Sequence, residues 1–452
     1  MSDSEATTLE EFKEKKGRRK SYSDYKRTGI DWLENIPQHW EINRAEKWFS
    51  SNAEKVQPEE MECHKVKHYS LPNIHEEGDG QLEDPDEISS QKKILTGKEV
   101  LISKLNPENG MVVLPEFNNH TAIASTEFVD MSTYDDVLRK FGYYFYSSQN
   151  VRQYLSSEAQ SVTLSHKRVK PRVIQRIPFP EPPGEEQEAI VDFLDREINN
   201  IDSLIKEKRK LIDLIEEKRN TVIKNTVIKG LDSEVTLKES GVDWLGKVPE
   251  HWDVPRIRFV ARMESGHTPN KSESEYWDGD IPWVSLADSG WMREHDYITE
   301  TAKTISEAGL ANSSARILPP ETMVFTRDAT VGLCAITTRE MAVSQHIIGW
   351  ICEDNLLPEY LLSVTKAMDQ ELNRLTMGAT ISTVGMEDIK KLKMPLPPKE
   401  EQEEIVEYLN EKLRRFEDSI EKIQESIEYL KEYRTALITE TVTGQIDVRG
   451  EM

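Results

Sequence analysis

Three kinds of residue group in this 452-residue chain have types and spacings that bear on chemistry. Gly241 to Lys247 matches the phosphate-loop pattern GxxxxGK, in which backbone amides cradle phosphates and a following Ser or Thr holds magnesium. Here Val248 follows Lys247 and Pro249 comes next. The hydroxyl is missing, and proline spoils the helix whose N-terminus would hold the phosphates. Cys63, His64 and His68 offer three metal-ligating side chains, one short of a closed zinc site, so no metal is expected. With Cys334 and Cys352 the cysteines are scattered and form no CxxC pair, which argues against a disulfide framework. The third kind is cationic. Ser165-His166-Lys167-Arg168-Val169-Lys170-Pro171-Arg172 and Arg256-Ile257-Arg258 concentrate side chains that attract phosphates.

These cations stand in a chain with 82 acidic against 58 basic residues and a net charge of −24. Taken as a whole, such acidity argues against a nucleic-acid binder unless the bases are gathered on one face. The length exceeds one compact core and fits two or more domains. No run approaches the 18 or so apolar residues of a membrane span, and the N-terminus has no apolar signal core. A cytoplasmic protein without a membrane partner is expected.

The elements that must position these residues come in duplicate. From Glu185 the chain runs without glycine or proline until Gly230. Within it Leu194, Ile198, Ile201, Ile205, Lys208, Ile212, Ile215, Arg219, Val222 and Thr226 stand alternately four and three apart, the seam spacing of a coiled coil. At a spacing of 215 residues the same seam recurs as Leu409, Leu413, Phe416, Ile420, Ile423, Ile427, Leu430, Arg434, Leu437 and Thr441. Each helix opens after Pro-Pro with Glu-Glu-Gln-Glu and ends at a glycine, Gly230 or Gly444. A second motif also repeats: Thr28-Gly29-Ile30-Asp31-Trp32-Leu33 with Ile36-Pro37-Gln38-His39-Trp40 returns as Ser240 to Leu245 with Val248 to Trp252. Its tryptophans read as anchors of a domain core rather than ligand contacts. The expected organisation is a flexible charged tail (1–27), a first domain (28–180), a first long helix (181–232), a second domain (233–396), a second long helix (397–445) and a short tail (446–452). The two bodies read as mixed α/β and resemble each other far less than their flanks do, which suits recognition of two different things at a fixed separation.

The order of these features resembles the specificity subunits of type I restriction–modification systems. The resemblance rests on Gly241-Val242-Asp243-Trp244-Leu245 with Pro249-Glu250-His251-Trp252, then Ser265-Gly266-His267-Thr268-Pro269, Ile281-Pro282-Trp283-Val284, Thr322 to Arg327, Ser344-Gln345-His346 and Met394 to Pro398 with Glu401-Gln402. The first half carries weaker counterparts in Leu101 to Leu105, Ala124 to Phe128 and Ile177 to Pro180. It implies two α/β target-recognition domains related by a pseudo-twofold axis and joined by two long antiparallel coiled-coil helices. It implies a non-catalytic reader of a bipartite double-stranded DNA sequence. Two adenine methyltransferase subunits and motor-nuclease subunits would be its partners, and S-adenosylmethionine, ATP and magnesium would sit on those partners rather than on this chain. In agreement, no (N/D)PP(Y/F) motif and no glycine-rich cofactor loop is present in the sequence.

Base readout uses Arg, Lys, Asn, Gln, Ser and Thr on loops, and backbone contacts use Arg and Lys. On that basis Lys104, Ser165, His166, Lys167 and Arg168 are the expected DNA contacts of the first domain, and Thr268, Lys271, Trp283, Arg327, Gln345 and Thr380 those of the second. Helix-pair packing is expected from Leu194, Ile198, Ile201, Ile205, Ile212 and Ile215 with Leu409, Leu413, Phe416, Ile420, Ile423 and Ile427. Two rivals belong to other classes. A protein-binding scaffold fits the acidity and requires no DNA; a nuclease requires a metal-dependent carboxylate cluster, which the sequence does not display.

Overall fold

The computed structural model describes residues 19–117, 120–163, 166–376 and 383–450. The chain forms two compact units: Met1–Arg209 with Ile423–Met452, and Lys210–Lys422. Each unit therefore holds one body and one half of both long helices.

The helices span Gly184–Lys229 and Lys399–Val442, 46 and 44 residues or roughly 69 and 66 Å at 1.5 Å per residue. Proline precedes each start, where its missing N–H costs nothing. Each ends where Gly230 (φ 74°) or Gly444 (φ 73°) turns left-handed, a conformation glycine adopts without Cβ strain. In the first unit the N-terminal half of the first helix lies with the C-terminal half of the second, joined by Arg434 to Asp202 at 2.6 Å. In the second unit Ile223 and Val227 share one core with Ile405 and Leu409, the opposite halves. The helices are thus antiparallel, as expected. The seam is buried at Leu194, Ile201, Ile205, Leu409, Ile423 and Ile427, and half-buried at Ile198, Ile212, Ile215, Leu413, Phe416 and Ile420.

The first unit builds a five-stranded mixed sheet and a three-stranded antiparallel one in which Glu99–Ser103 pairs with Phe128–Ser132. The second unit builds a five-stranded sheet, with Met323–Thr326 between Ile347–Cys352 and Cys334–Thr337, and a four-stranded one. The strands centred on Leu101 and Val324 are buried along their whole length, so apolar residues run consecutively at Val100–Ile102 and Met323–Phe325 rather than alternating. Helices Asp136–Ser147 and Gln149–Ser157 follow in the first unit. In the second, Pro358–Ala367 and Asp369–Thr376 follow, separated at Met368.

The repeated Trp motif anchors each unit. Trp40 and Trp252 are fully buried. Trp40 donates its indole N–H to Glu186 at 2.9 Å beside His39 at 2.7 Å; Trp252 and His251 hold Glu401 at the same 2.9 and 2.7 Å.

Two expectations about the ends are corrected. Residues 19–27 are not a free tail: Tyr22 is buried and Tyr25–Ile30 pairs with Leu33–Pro37. The segment after Gly444 is not free either, since Ile446 and Val448 are buried and Asp447 N–H donates to the Lys20 carbonyl at 2.8 Å. Tyr22 and the Arg449 guanidinium stacked on its ring complete this packing. The rest of the N-terminal stretch lies outside the described residues.

Candidate nucleic-acid interface

Two equivalent positions, one in each unit, organise the expected contact residues. Lys104 follows the buried strand Glu99–Ser103; its N–H donates to the Glu127 carbonyl at 3.0 Å, and its own carbonyl accepts from Val169 N–H at 2.9 Å. Arg327 follows Met323–Thr326; its N–H donates to the His346 carbonyl at 3.0 Å, and its carbonyl accepts from Val384 N–H at 2.9 Å. Val169 and Val384 are 215 residues apart, the helix repeat itself. Two residues beyond each cation the backbone turns left-handed, at Asn106 (φ 46°) and at Ala329 (φ 63°). Asparagine tolerates that region; alanine does so at a cost of order 1 kcal/mol. Both cations are thus pinned by strand ends on either side, with the side chain left to the loop cluster.

In the first unit this cluster is cationic. The antiparallel bridge between Leu105 and Arg168 brings Arg168 to Glu127 at 2.8 Å. Asn106 holds the Lys167 backbone from both sides, accepting from its N–H at 2.9 Å and donating its own N–H to its carbonyl at 2.8 Å. Burial pushes the Lys104 ammonium below the usual lysine range, Glu127 opposes this, and Arg168, Lys93 and Lys55 push further down. Lys93 is itself bonded to Asp130. Lys104 and Arg168 therefore come together with Lys55 and Lys93, and Lys167, next to Arg168 on the strand, faces Glu108. Ser165 lies outside the described residues. His166 is in the strand by its backbone.

In the second unit the cluster is a polar relay. Thr268 Oγ1 donates to Gln345 Oε1 at 2.5 Å, Gln345 Nε2 donates to His346 Nε2 at 3.1 Å, and His346 Nδ1 meets Asp328 Oδ2 at 2.5 Å. An amide nitrogen only donates, so His346 Nε2 is the acceptor and its proton lies on Nδ1, toward the carboxylate. The Arg327 Nε is buried without a hydrogen-bond partner among the described residues, 3.7 Å from Asp328. Lys271 is exposed on the neighbouring loop. Trp283 is a correction: it is 5% exposed, and its indole N–H is taken by the His267 carbonyl at 3.1 Å. Its ring lies edge-on to Trp277 behind the loop and holds the His267 backbone. Thr380 lies outside the described residues.

Sequence reading missed Lys55, Lys93, Glu127 and Asp328. Glu127 and His346 were legible inside the resemblance motifs, but their role needed the strand pairing. Lys247–Pro249 is a strand paired with Leu237–Glu239, not a helix start. His68 bonds Glu83 at 2.8 Å, and among the described residues no three His, Cys, Asp or Glu side chains are placed to hold a metal. No helix among them is long and apolar enough to cross a membrane.

The family model of the type I restriction modification DNA specificity domain matches residues 43–214 and again 249–429. The chain belongs to this family. It is 32% identical over 200 residues to the MjaIX specificity subunit of Methanocaldococcus jannaschii, a match spanning 44% of each chain. It is 21% identical over 384 residues to the MjaVIII specificity subunit of the same organism, covering 81% of this chain and 84% of the relative. In fold it is similar to a chain from a structure of a type I restriction–modification complex, with a TM-score of 0.68 at 18% identity over 90% of this chain and 98% of that one. The HsdS subunit of Thermoanaerobacter tengcongensis aligns with a TM-score of 0.50 at 17% identity, over 91% and 98%. The two matched segments of this specificity-family chain coincide with its internal repeat, each taking in one body and much of one long helix.

Proposed function

We propose that the chain is the DNA-reading subunit of a type I restriction–modification complex, each body reading one half of a bipartite double-stranded target. One observation carries this: Lys104 and Arg327 occupy the same pinned position in the two units, surrounded by different side chains. A constant frame holding a cation at one place, with a lysine–arginine cluster around it in one unit and a Thr–Gln–His–Asp relay in the other, is what reading two different base sequences requires. The chain's overall acidity does not oppose this, because the first cluster gathers Lys55, Lys93, Lys104 and Arg168 around Glu127. The chain would supply recognition and no catalysis. Adenine methyltransferase subunits, two per complex, and motor-nuclease subunits would dock on it and carry S-adenosylmethionine, ATP and magnesium.

The test is a genome-wide map of methylated adenine with and without this gene. Loss of methylation at one bipartite motif is expected and would reveal both half-sites. An unchanged map in a host that expresses an adjacent methyltransferase would refute the reading and favour the protein scaffold.

A further inference from the structure

In the first unit the half-buried Arg152 has no ion-pair partner among the described residues. Arg152 lies on the helix Gln149–Ser157, which is tied to the second long helix by the Gln149 N–H donating to Thr439 Oγ1 at 2.9 Å. The Arg152 side chain packs on Gly110, where a Cβ would sit 2.0 Å from its Cδ. Its Nε is buried and has no hydrogen-bond partner among the described residues. Burial and the neighbouring Arg434 both disfavour its charge, whereas Arg434 has Asp202 at 2.6 Å.

The second unit shows what packing alone requires at this place. There Gly332 (φ 93°) replaces Gly110 (φ 62°), and the side chain against it is Leu372, whose Cδ1 would lie 3.3 Å from an added Cβ. The helix tie has a counterpart of different chemistry: Lys224, 215 residues before Thr439, donates from Nζ to the Gln370 side chain at 3.2 Å. A leucine completes the joint in one unit and an arginine in the other. Burying the Nε side of a guanidinium without a partner is unfavourable, so an anionic ligand would suit this place.

Beside Arg152 is a cavity of about 1070 Å³ between the helix Gln149–Ser157 and the second long helix, also lined by Lys167, Lys431, Glu108 and Glu432. Lys431 is paired with Glu428 at 2.7 Å and Lys167 faces Glu108 at 4.0 Å, whereas Arg152 has no carboxylate within ion-pair distance among the described residues. Lys167 belongs to the same strand as Arg168, so the cavity opens next to the first reading cluster.

We propose that Arg152 is a phosphate clamp, taking a backbone phosphate of the duplex whose bases the Lys104 cluster reads. This rests on the DNA-reading function proposed above. A free phosphate ion shares the chemistry, and the test separates the two. The full chain with its methyltransferase partners is assayed as wild type, R152L (the residue of the other unit) and R152K, on target and non-target duplexes across a salt series. R152L should keep or raise the thermal midpoint. It should weaken both duplexes roughly tenfold, and lower the slope of log affinity against log salt by about 0.9; R152K should restore most of the slope. Unchanged affinity and slope in R152L would overturn the clamp. Stabilisation of wild type but not R152L by inorganic phosphate, with DNA binding unchanged, would overturn it in favour of a small-anion site. A wild-type complex that binds no duplex sinks the DNA reading itself, and the clamp falls with it.

Discussion

Trp40 and Gly444 meet at the base of the first unit: a Cβ added to Gly444 would lie 3.1 Å from the Trp40 ring and 2.3 Å from Pro37 Cδ. The same Trp40 donates to Glu186 at the start of the other long helix. One buried indole therefore ties the beginning of one helix to the end of its partner. Trp252 does the same in the second unit with Glu401 and Gly230, whose Cβ would lie 3.0 Å from the ring.

The two glycines should respond unequally. Both have positive φ, so alanine at either costs about 1 kcal/mol. G444A must also displace the Pro37 ring, while G230A meets only the edge of Trp252. Thermal unfolding is expected to show G444A as the less stable by a further 1–2 kcal/mol or so. Equal midpoints would mean that the chain end yields freely.

Glu186 accepts from Tyr22, His39 and Trp40, while Glu401 accepts from His251 and Trp252. Replacing Glu186 by leucine strands three donors, two of them buried, and is expected to cost roughly 2–4 kcal/mol. E401L, at a site a third exposed, should cost less. Denaturant titration of both variants checks the order, and a larger loss from E401L would contradict it.

Lys104 and Arg327 should each serve one half-site. K104A and R327A are expected to weaken target binding by about 1–3 kcal/mol each, with relaxed selectivity confined to the half read by the altered unit. Methylation profiling against half-site libraries would show this. Relaxation of both halves by either variant would break the assignment of one body to one half.

Exchange of residues 28–180 for the body of another family member should replace one half of the methylated motif and leave the other intact. A motif altered at both halves, or at neither, would mean that the units do not read independently.

The pH behaviour of Lys104 follows from its surroundings. Its folded pKa is lowered by burial and by three nearby cations, against the pull of Glu127. A lysine with a depressed folded pKa opposes folding while charged, and that opposition fades as pH rises through the folded value toward the unfolded one. K104M should therefore be at least as stable as wild type at neutral pH, with the gap closing on the alkaline side. A gap that widens with pH would reverse the sign.

The sequence by itself determined whatever is written in local spacing. The two helices, their proline starts and glycine ends, and the duplication follow from residues a few positions apart. Periodicity and capping are short-range physics. Residue type and repeated motifs also single out Lys104, Arg327, Lys167, Arg168, Thr268 and Gln345 as candidates. Trp283 was misplaced because an indole beside loop residues reads the same whether it faces solvent or supports the loop from behind.

Tertiary structure alone decided which of these residues act together. Lys55 and Lys93 reach Lys104 only because Lys55–Val56 pairs with Lys92–Leu95, across loops whose lengths carry no periodic signal. The equivalence of Lys104 with Arg327 rests on backbone hydrogen bonds to Glu127 and His346 in bodies of divergent sequence. Arg152 and Leu372 look unrelated until Gly110 and Gly332 place them in the same joint. Helix seams are fixed by neighbours along the chain, whereas these clusters form where strands distant in sequence pair, and pairing register is set by the packing of the whole unit.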